Sequence, residues 1–446
     1  MTAGGDASGQ RVDRAFWRGF PALLLAFAVA QLMQQIDVGM LARVDPQAPA
    51  AYVLLLRIAV ADLVAMMAFG AVASVTIAQA ARDGDPGPTI RRALGLAAIL
   101  GAGLGGLGLV LYGPAARAIV GPDGPAALVA AAVPWFAAAA PLRLVNAGAA
   151  FALHATGAGG VVVRWKLGEL VGKAALNGLF LFVLDGGFVG CFVAGLLLNL
   201  LSVGWVLRYL RRTQGGGLGW PGRRWALDLL RKTAWEAQRV ASGQILALAT
   251  VTLFASPLIG AADPGRFNAF AAGSVLATLV FAPFVAFLRF LAMRFAGRPA
   301  SDVAALAGVL WRRGAPVALA LAALLILSGD WLGAALYGQS GPWWSGLVTA
   351  LSLSLPIRLA ANILRAASQA SGAFAQVARI DGLLGWGVGG PLILLGLRWN
   401  LPAVAYAHLV VPEALALLWL WRRWAAVNGR GWPLGWPLRR VGRAAR

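Results

Sequence analysis

Residues 17–41 read WRGFPALLLAFAVAQLMQQIDVGML, 25 residues among which only Arg18 and Asp37 are charged. A helix rises about 1.5 Å per residue, so some 20 apolar residues cross the roughly 30 Å hydrocarbon layer of a bilayer. The stretch therefore reads as a membrane-spanning helix. It is too long for the apolar core of a signal peptide, and no small-residue cleavage site follows it. Residues 1–16, with Arg11 and Arg14, read as a polar cytoplasmic tail. Near the far end of the helix stand Gln31, Gln34, Gln35 and Asp37. Their three- and four-residue spacing puts the glutamines on one face and Asp37 close to Gln34. Four polar groups in one spanning helix point to a wet interior or to hydrogen bonds with neighbouring helices.

Outward from this helix the same pattern recurs. Apolar runs fall at 17–41, 52–80, 91–111, 126–154, 166–184, 188–208, 236–258, 267–295, 314–337, 344–371, 376–397 and 401–421. Turn-forming clusters separate them, such as Asp83-Gly84-Asp85-Pro86-Gly87-Pro88 and Gly121-Pro122-Asp123-Gly124-Pro125. The whole chain of 446 residues is 60% hydrophobic and 12% charged, against about 25% charged in soluble domains. The expected fold is an all-α polytopic membrane protein with twelve transmembrane helices in two parallel six-helix halves. The halves are placed at 17–210 and 233–424, joined by a cytoplasmic linker at 211–232 and followed by a basic tail at 425–446.

Charge placement orients the chain. With the N-terminus inside, inner segments hold about 28 of the 38 Lys and Arg, whereas the outer loops hold Arg43, Arg117, Arg266 and Arg398. Both termini are expected to be cytoplasmic, in a bacterial inner membrane. The net charge of +21 is then mostly the positive-inside signal, and no nucleic-acid partner is expected. Trp424, Trp432 and Trp436 among the arginines of the tail suit a headgroup layer. Residues 220–238 read similarly, as a surface-lying helix with Trp225, Leu229 and Leu230 against Arg223, Arg224, Arg231 and Lys232.

The sequence matches itself at an offset of 215 positions. Pro141-Leu142-Arg143-Leu144 falls on Pro356-Ile357-Arg358-Leu359, and Ala155-Thr156-Gly157-Ala158 on Ala370-Ser371-Gly372-Ala373. Arg164 falls on Arg379 and Gly172 on Gly387. Halves with an even number of spans share one orientation, and transporters built from such repeats place substrate between them near mid-bilayer.

Ionisable residues inside apolar helices are costly and mark cavities or partners. Asp37 is the candidate proton acceptor, with Asn146, Asn177 and Asn199 as candidate polar partners around a coupling cation. Arg358, Asn362, Arg365 and Gln369 form one helical stripe. That stripe either lines a cavity for an anionic or zwitterionic solute or pairs with acids such as Asp381 and Glu413. Gln31, Gln34 and Arg143 complete the candidate substrate-cavity set. Glu169 and Lys173, four apart, are expected to satisfy each other. Arg289 and Asp330, near span ends, are read as snorkelling groups. One cysteine, Cys191, and two histidines, His154 and His408, exclude a disulfide framework and read as structural residues, so no metal or other cofactor is expected.

The segment from Asp37 to Ala51, DVGMLARVDPQAPAA, resembles the first-span motif of the multidrug and toxic compound extrusion (MATE) family, with Asp37, Met40, Arg43, Pro46, Ala48, Ala50 and Ala51 in register. Ala78 to Asp85 with Arg91-Arg92-Ala93, Asn177 with Gly186-Gly187-Phe188-Val189-Gly190, and Leu364-Arg365-Ala366 resemble further elements of that family in the same order. The family lies within the wider multidrug/oligosaccharidyl-lipid/polysaccharide exporter superfamily. The resemblance implies a cation-coupled antiporter that exports a drug or secondary metabolite by alternating access. It also implies a carboxylate four residues after Asn177, where this chain has Leu181. The glutamate of another branch would fall near Gly243 or Gln244, and Ala42 replaces a glycine. Protons are therefore favoured over sodium, and Asp37 is the remaining coupling carboxylate. The runner-up is a flippase for a lipid-linked saccharide or other anionic lipid precursor, in which Arg143, Arg358 and Arg365 would bind pyrophosphate. An enzyme is not expected, because no cluster of His, Asp or Ser sits at a membrane face. The expected partners are a small-molecule substrate and membrane lipid, with the chain acting as a monomer.

Overall fold

The computed structural model describes residues 3–256, 258–259 and 264–428. The tail tryptophans Trp432 and Trp436 lie outside them. The described residues form sixteen α-helices with short π and 3-10 turns. In chain order they are α1 (Ala3–Leu41), α2 (Ala48–Ile58), α3 (Val60–Arg82), α4 (Gly87–Val120), α5 (Pro125–Ala138), α6 (Ala140–Ala155), α7 (Gly159–Gly178) and α8 (Gly187–Gln214). Then follow α9 (Arg223–Ala255), α10 (Pro264–Phe295), α11 (Ala300–Leu332), α12 (Pro342–Ala370), α13 (Phe374–Leu384), α14 (Gly390–Arg398), α15 (Pro402–Tyr406) and α16 (Val411–Asn428).

Joined across the short breaks at α2–α3, α5–α6, α13–α14 and α15–α16, the sixteen helices group into twelve segments. Among the described residues nine helices are long and apolar enough to cross a membrane, and the bent pair α5–α6 makes a tenth. α7 and α9 complete the set. Each carries too many polar residues to stand out by apolarity, α7 through Arg164, Lys166, Glu169 and Lys173, and α9 through Gln238, Arg239 and Gln244. A polytopic all-α membrane fold therefore stands on the chain's own composition.

Several runs expected to be single helices are broken. The run at 126–154 bends by 52° between α5 and α6. Pro134 lies inside α5 and Pro141 in the first turn of α6, and each removes a backbone donor and crowds the preceding turn. The repeat counterpart of Pro141, Pro356, sits inside a continuous α12. Only the first half carries a second proline seven residues upstream, and only there does the helix break. The stretch at 220–238 does not form a surface helix of its own; from Arg223 onward it is the start of α9.

The 215-residue repeat is visible in backbone conformation. α6 ends at Ala155 and α12 at Ala370, followed by Gly157 at φ +85° and Gly372 at φ +83°, both left-handed. α7 and α13 then begin at Gly159 and Phe374.

By internal packing the chain divides into one unit at residues 13–240 and a second containing residues 3–12 together with the described residues from 241 onward. In the first unit Leu41, Tyr52, Leu55, Phe136, Leu181, Phe188, Cys191 and Phe192 belong to one apolar core. α4 packs closely on the α5–α6 bend, because a Cβ added to Gly101 would run into the Pro141 Cα. Small residues are what allow such backbone approach. In the second unit a core forms around Phe254, Phe270, Trp343, Trp344 and Tyr406, with the Phe254 and Phe270 rings stacked at 4.1 Å.

Candidate functional site

The polar residues of the first unit gather into three clusters. The first centres on Asp37, in the last turns of α1 and only 6% exposed. Asn177 Nδ2, from the end of α7, donates to its Oδ1 at 2.7 Å. Tyr52 Oη, from α2, donates to its Oδ2 at 2.9 Å. Lys173 Nζ, one turn before Asn177, lies 3.2 Å from Asp37 Oδ1 and donates to the Cys191 carbonyl of α8 at 3.1 Å. Asn177 is fully buried, and its Oδ1 has no hydrogen-bond donor among the described residues. A carboxylate taken out of water is tolerable only when hydrogen-bonded and charge-paired, and here both conditions are met by residues from two other helices, α2 and α7.

The second cluster joins Asp62 of α3, Tyr112 of α4 and Arg143 of α6. Arg143 Nη2 pairs with Asp62 Oδ2, and Tyr112 Oη donates to Oδ1 at 2.9 Å. Arg143 Nη1 also donates to the Phe136 carbonyl at 2.7 Å, where the end of α5 has surplus acceptors. Its guanidinium lies 3.9 Å over the Phe136 ring. The third centres on Glu169 of α7, which accepts from Asn146 at 2.8 Å, from Ser202 of α8 and from Lys166 at 2.7 Å. Asn199 accepts from Asn146 at 3.3 Å. A cleft of about 630 Å³ opens beside it, lined by Arg164, Trp165, Glu169, Ser202, Trp205 and Tyr209 among others.

The second unit holds one extended cluster. Arg365 Nε and Nη2 contact Asp381 Oδ1 at 3.0 and 2.8 Å, and Arg365 Nη1 contacts Glu413 Oε2 at 2.8 Å. Arg358 Nη2 pairs with Glu413 Oε1 at 3.0 Å, with its guanidinium 4.0 Å over the Phe281 ring. Asn362 accepts from Arg365 at 3.2 Å and donates to the Phe284 carbonyl at 3.3 Å. Gln369, on the same stripe, is fully buried. Two arginines face two carboxylates, so the stripe carries no surplus positive charge.

These contacts sort the sequence-based candidates. Asn177 is the amide that meets Asp37, whereas Asn146 and Asn199 belong to the Glu169 cluster. Lys173 pairs with Asp37 and not with Glu169, whose ammonium partner is Lys166. Side chains four apart on a helix can meet, but Lys166, three residues before Glu169 on the same helix, takes that carboxylate, and Lys173 reaches Asp37 on α1 instead. Arg143, Arg358 and Arg365 are all ion-paired. Gln31, Gln34 and Gln35 are exposed, and Leu181 is buried in apolar packing. Gly243 and Gln244 are exposed and non-acidic. Arg289 is buried and Asp330 exposed. Tyr52 and Tyr112 were not singled out by the sequence. Lys173 could have been linked to Asp37 alongside Asn177, since the two lie four apart on one face of α7. No group of three or more metal-ligating side chains occurs among the described residues.

No family sequence model matches the chain, and no curated protein matches it by sequence. Solved structures do match in fold. A MATE captured in the bent conformation superposes with a TM-score of 0.77 at 17% identity, covering 94% of this chain and 96% of that one. An outward-facing multidrug resistance MATE transporter of the MOP superfamily gives 0.74 at 17% identity, with 94% and 97% covered. A MOP superfamily transporter from Pyrococcus furiosus gives 0.73 at 15% identity, with 94% and 97% covered. The chain has the MATE fold, and identities this low establish the fold alone.

Proposed function

We propose that the chain exports a small organic molecule by alternating access, driven by proton entry, with Asp37 as the coupling carboxylate. The observation that carries this reading is a single buried carboxylate on α1, gripped by α2 and α7 in a chain with the MATE fold. Protonating Asp37 removes the charge that Tyr52, Asn177 and Lys173 all address. The tie between α1 and its neighbours then weakens, while Lys173 keeps its Cys191 carbonyl. A carboxyl group so placed makes helix packing depend on a proton, which is the element an antiporter needs. The expected location is the bacterial inner membrane with both termini inside, supported by the distribution of Lys and Arg.

The cargo class follows less from the fold than from the clusters. The Pyrococcus furiosus neighbour is described as having a binding pocket of reversed polarity that suggests a different function. The MATE fold thus accommodates pockets of differing charge. In this chain each arginine of the candidate set is already held by a carboxylate, so a pyrophosphate would have to displace Asp62, Asp381 or Glu413. That argues for an uncharged or cationic organic molecule over an anionic lipid precursor.

The test is efflux of ethidium, a lipophilic cation, from proteoliposomes under an imposed proton gradient. Wild type is expected to move the dye only while the gradient lasts, and Asp37→Asn to lose most of that flux. Equal gradient-driven flux in Asp37→Asn would remove Asp37 from coupling. Release of a fluorescent lipid-linked saccharide across the bilayer, without dye movement, would replace export by lipid flipping.

A further inference from the structure

Around Asp37 stand more oxygen atoms than its hydrogen bonds use. Besides the carboxylate there are the Tyr52 hydroxyl, the Cys191 carbonyl and Asn177 Oδ1, the last buried and without a donor among the described residues. A carboxylate with neutral oxygens close by is the ligand chemistry of a hard cation. Yet the centre of this group is occupied. Lys173 Nζ sits 3.2 Å from Asp37 Oδ1 and 3.1 Å from the Cys191 oxygen, so one ammonium touches two of the oxygens a metal cation would take. Lys173 is 6% exposed, and its stem is fixed by α7, so the charge is delivered by the chain itself.

We propose that Lys173 acts as a tethered monovalent cation, filling the place of a sodium ion at Asp37 and making the site insensitive to sodium. The inference rests on Asp37 being the coupling carboxylate only for its meaning in transport; the binding chemistry stands by itself. An entering sodium ion would have to displace a covalently held charge from the two oxygens it touches, or crowd a second cation against it beside one carboxylate, and like-charge repulsion opposes both. A proton needs no such room, since it bonds to a single carboxylate oxygen. Among the described residues, the charged and titratable groups facing Asp37 are Lys173, Tyr52 and Cys191, with Arg143 beyond Tyr52, and none is a second acid that could hold sodium in place of the ammonium.

The prediction is that removing the ammonium uncovers a sodium site. Lys173→Ala, purified in sodium throughout, is compared with wild type by thermal unfolding in sodium, potassium or choline chloride at equal ionic strength. Wild type is expected to melt at the same temperature in all three. Lys173→Ala is expected to melt about 2–4 °C higher in saturating sodium, with the difference gone in Lys173→Ala/Asp37→Asn. A sodium-specific rise in wild type that Asp37→Asn abolishes would overturn the proposal. So would a folded Lys173→Ala that ignores sodium. Should Lys173→Ala fail to fold, Lys173→Gln, which keeps more of the stem, decides by the same readout. Wild type that moves no dye in vesicles while the melting pattern holds would refute the export reading and leave the tethered cation in place.

Discussion

Arg365 touches Asp381, Glu413 and Asn362 at once, and this one side chain neutralises the second unit's acidic pair together with Arg358. Removing one partner of a buried ion pair leaves the others desolvated and uncompensated, at a cost of about 3–5 kcal/mol. Arg365→Ala is therefore expected to lower the unfolding midpoint sharply, as read by tryptophan fluorescence. Arg365→Lys should recover part of the loss, because an ammonium restores the charge but cannot span Asp381 and Glu413 with a planar fork. Tyr52→Phe is a milder change. It removes one neutral donor to Asp37, for which about 0.5–1.5 kcal/mol is the usual scale. The same variant should weaken proton-driven dye flux less than Asp37→Asn does, since Asn177 and Lys173 remain on the carboxylate.

At the scale of elements, the proline-broken α5–α6 pair and the left-handed glycines after α6 and α12 set the geometry. The bend lets α4 approach until Gly101 has no room for a side chain against Pro141. Gly101→Val would force α4 away from the bend and is expected to destabilise the protein by about 1–3 kcal/mol, visible as a lower unfolding midpoint. Gly157 and Gly372 give a paired test of the repeat. Both adopt positive φ, where a Cβ costs roughly 1–2 kcal/mol. A Cβ at Gly157 would meet no neighbouring atom, so Gly157→Ala should show the backbone cost alone.

For the whole molecule the basic residues make a topological prediction. Cys191, the single cysteine, is buried at 1% exposure, so the wild-type chain should resist a membrane-impermeant maleimide. Thr213, at the end of α8, and Asp123, in the loop before α5, are both exposed. Thr213→Cys should label only from the cytoplasmic side and Asp123→Cys only from outside. The opposite pattern would reverse the orientation and remove the meaning assigned to an inward proton gradient.

Much of the architecture was legible in the chain because its causes are local. Runs of apolar residues longer than the hydrocarbon layer, breaks rich in Gly, Pro and Asp, and a lopsided distribution of arginines need no tertiary information to be read. A fixed offset between Pro141 and Pro356, or Gly157 and Gly372, is likewise written in order along the chain. Asp37 was conspicuous for the same reason, as a lone acid in an apolar helix.

What depends on which side chains meet was settled by packing. Sequence neighbours suggested Glu169 with Lys173, yet the inward faces of α6, α7 and α8 give Glu169 to Lys166 and Lys173 to Asp37. The arginine stripe on α12 was equally consistent with a cationic cavity or with buried pairing; Asp381 and Glu413 from α13 and α16 decide for pairing. Electrostatic partners are chosen among all groups brought within a few ångströms, and desolvation makes that choice strict inside a membrane. Periodicity places a residue on a face of its helix, but only the assembled bundle decides which charge that face finds opposite it.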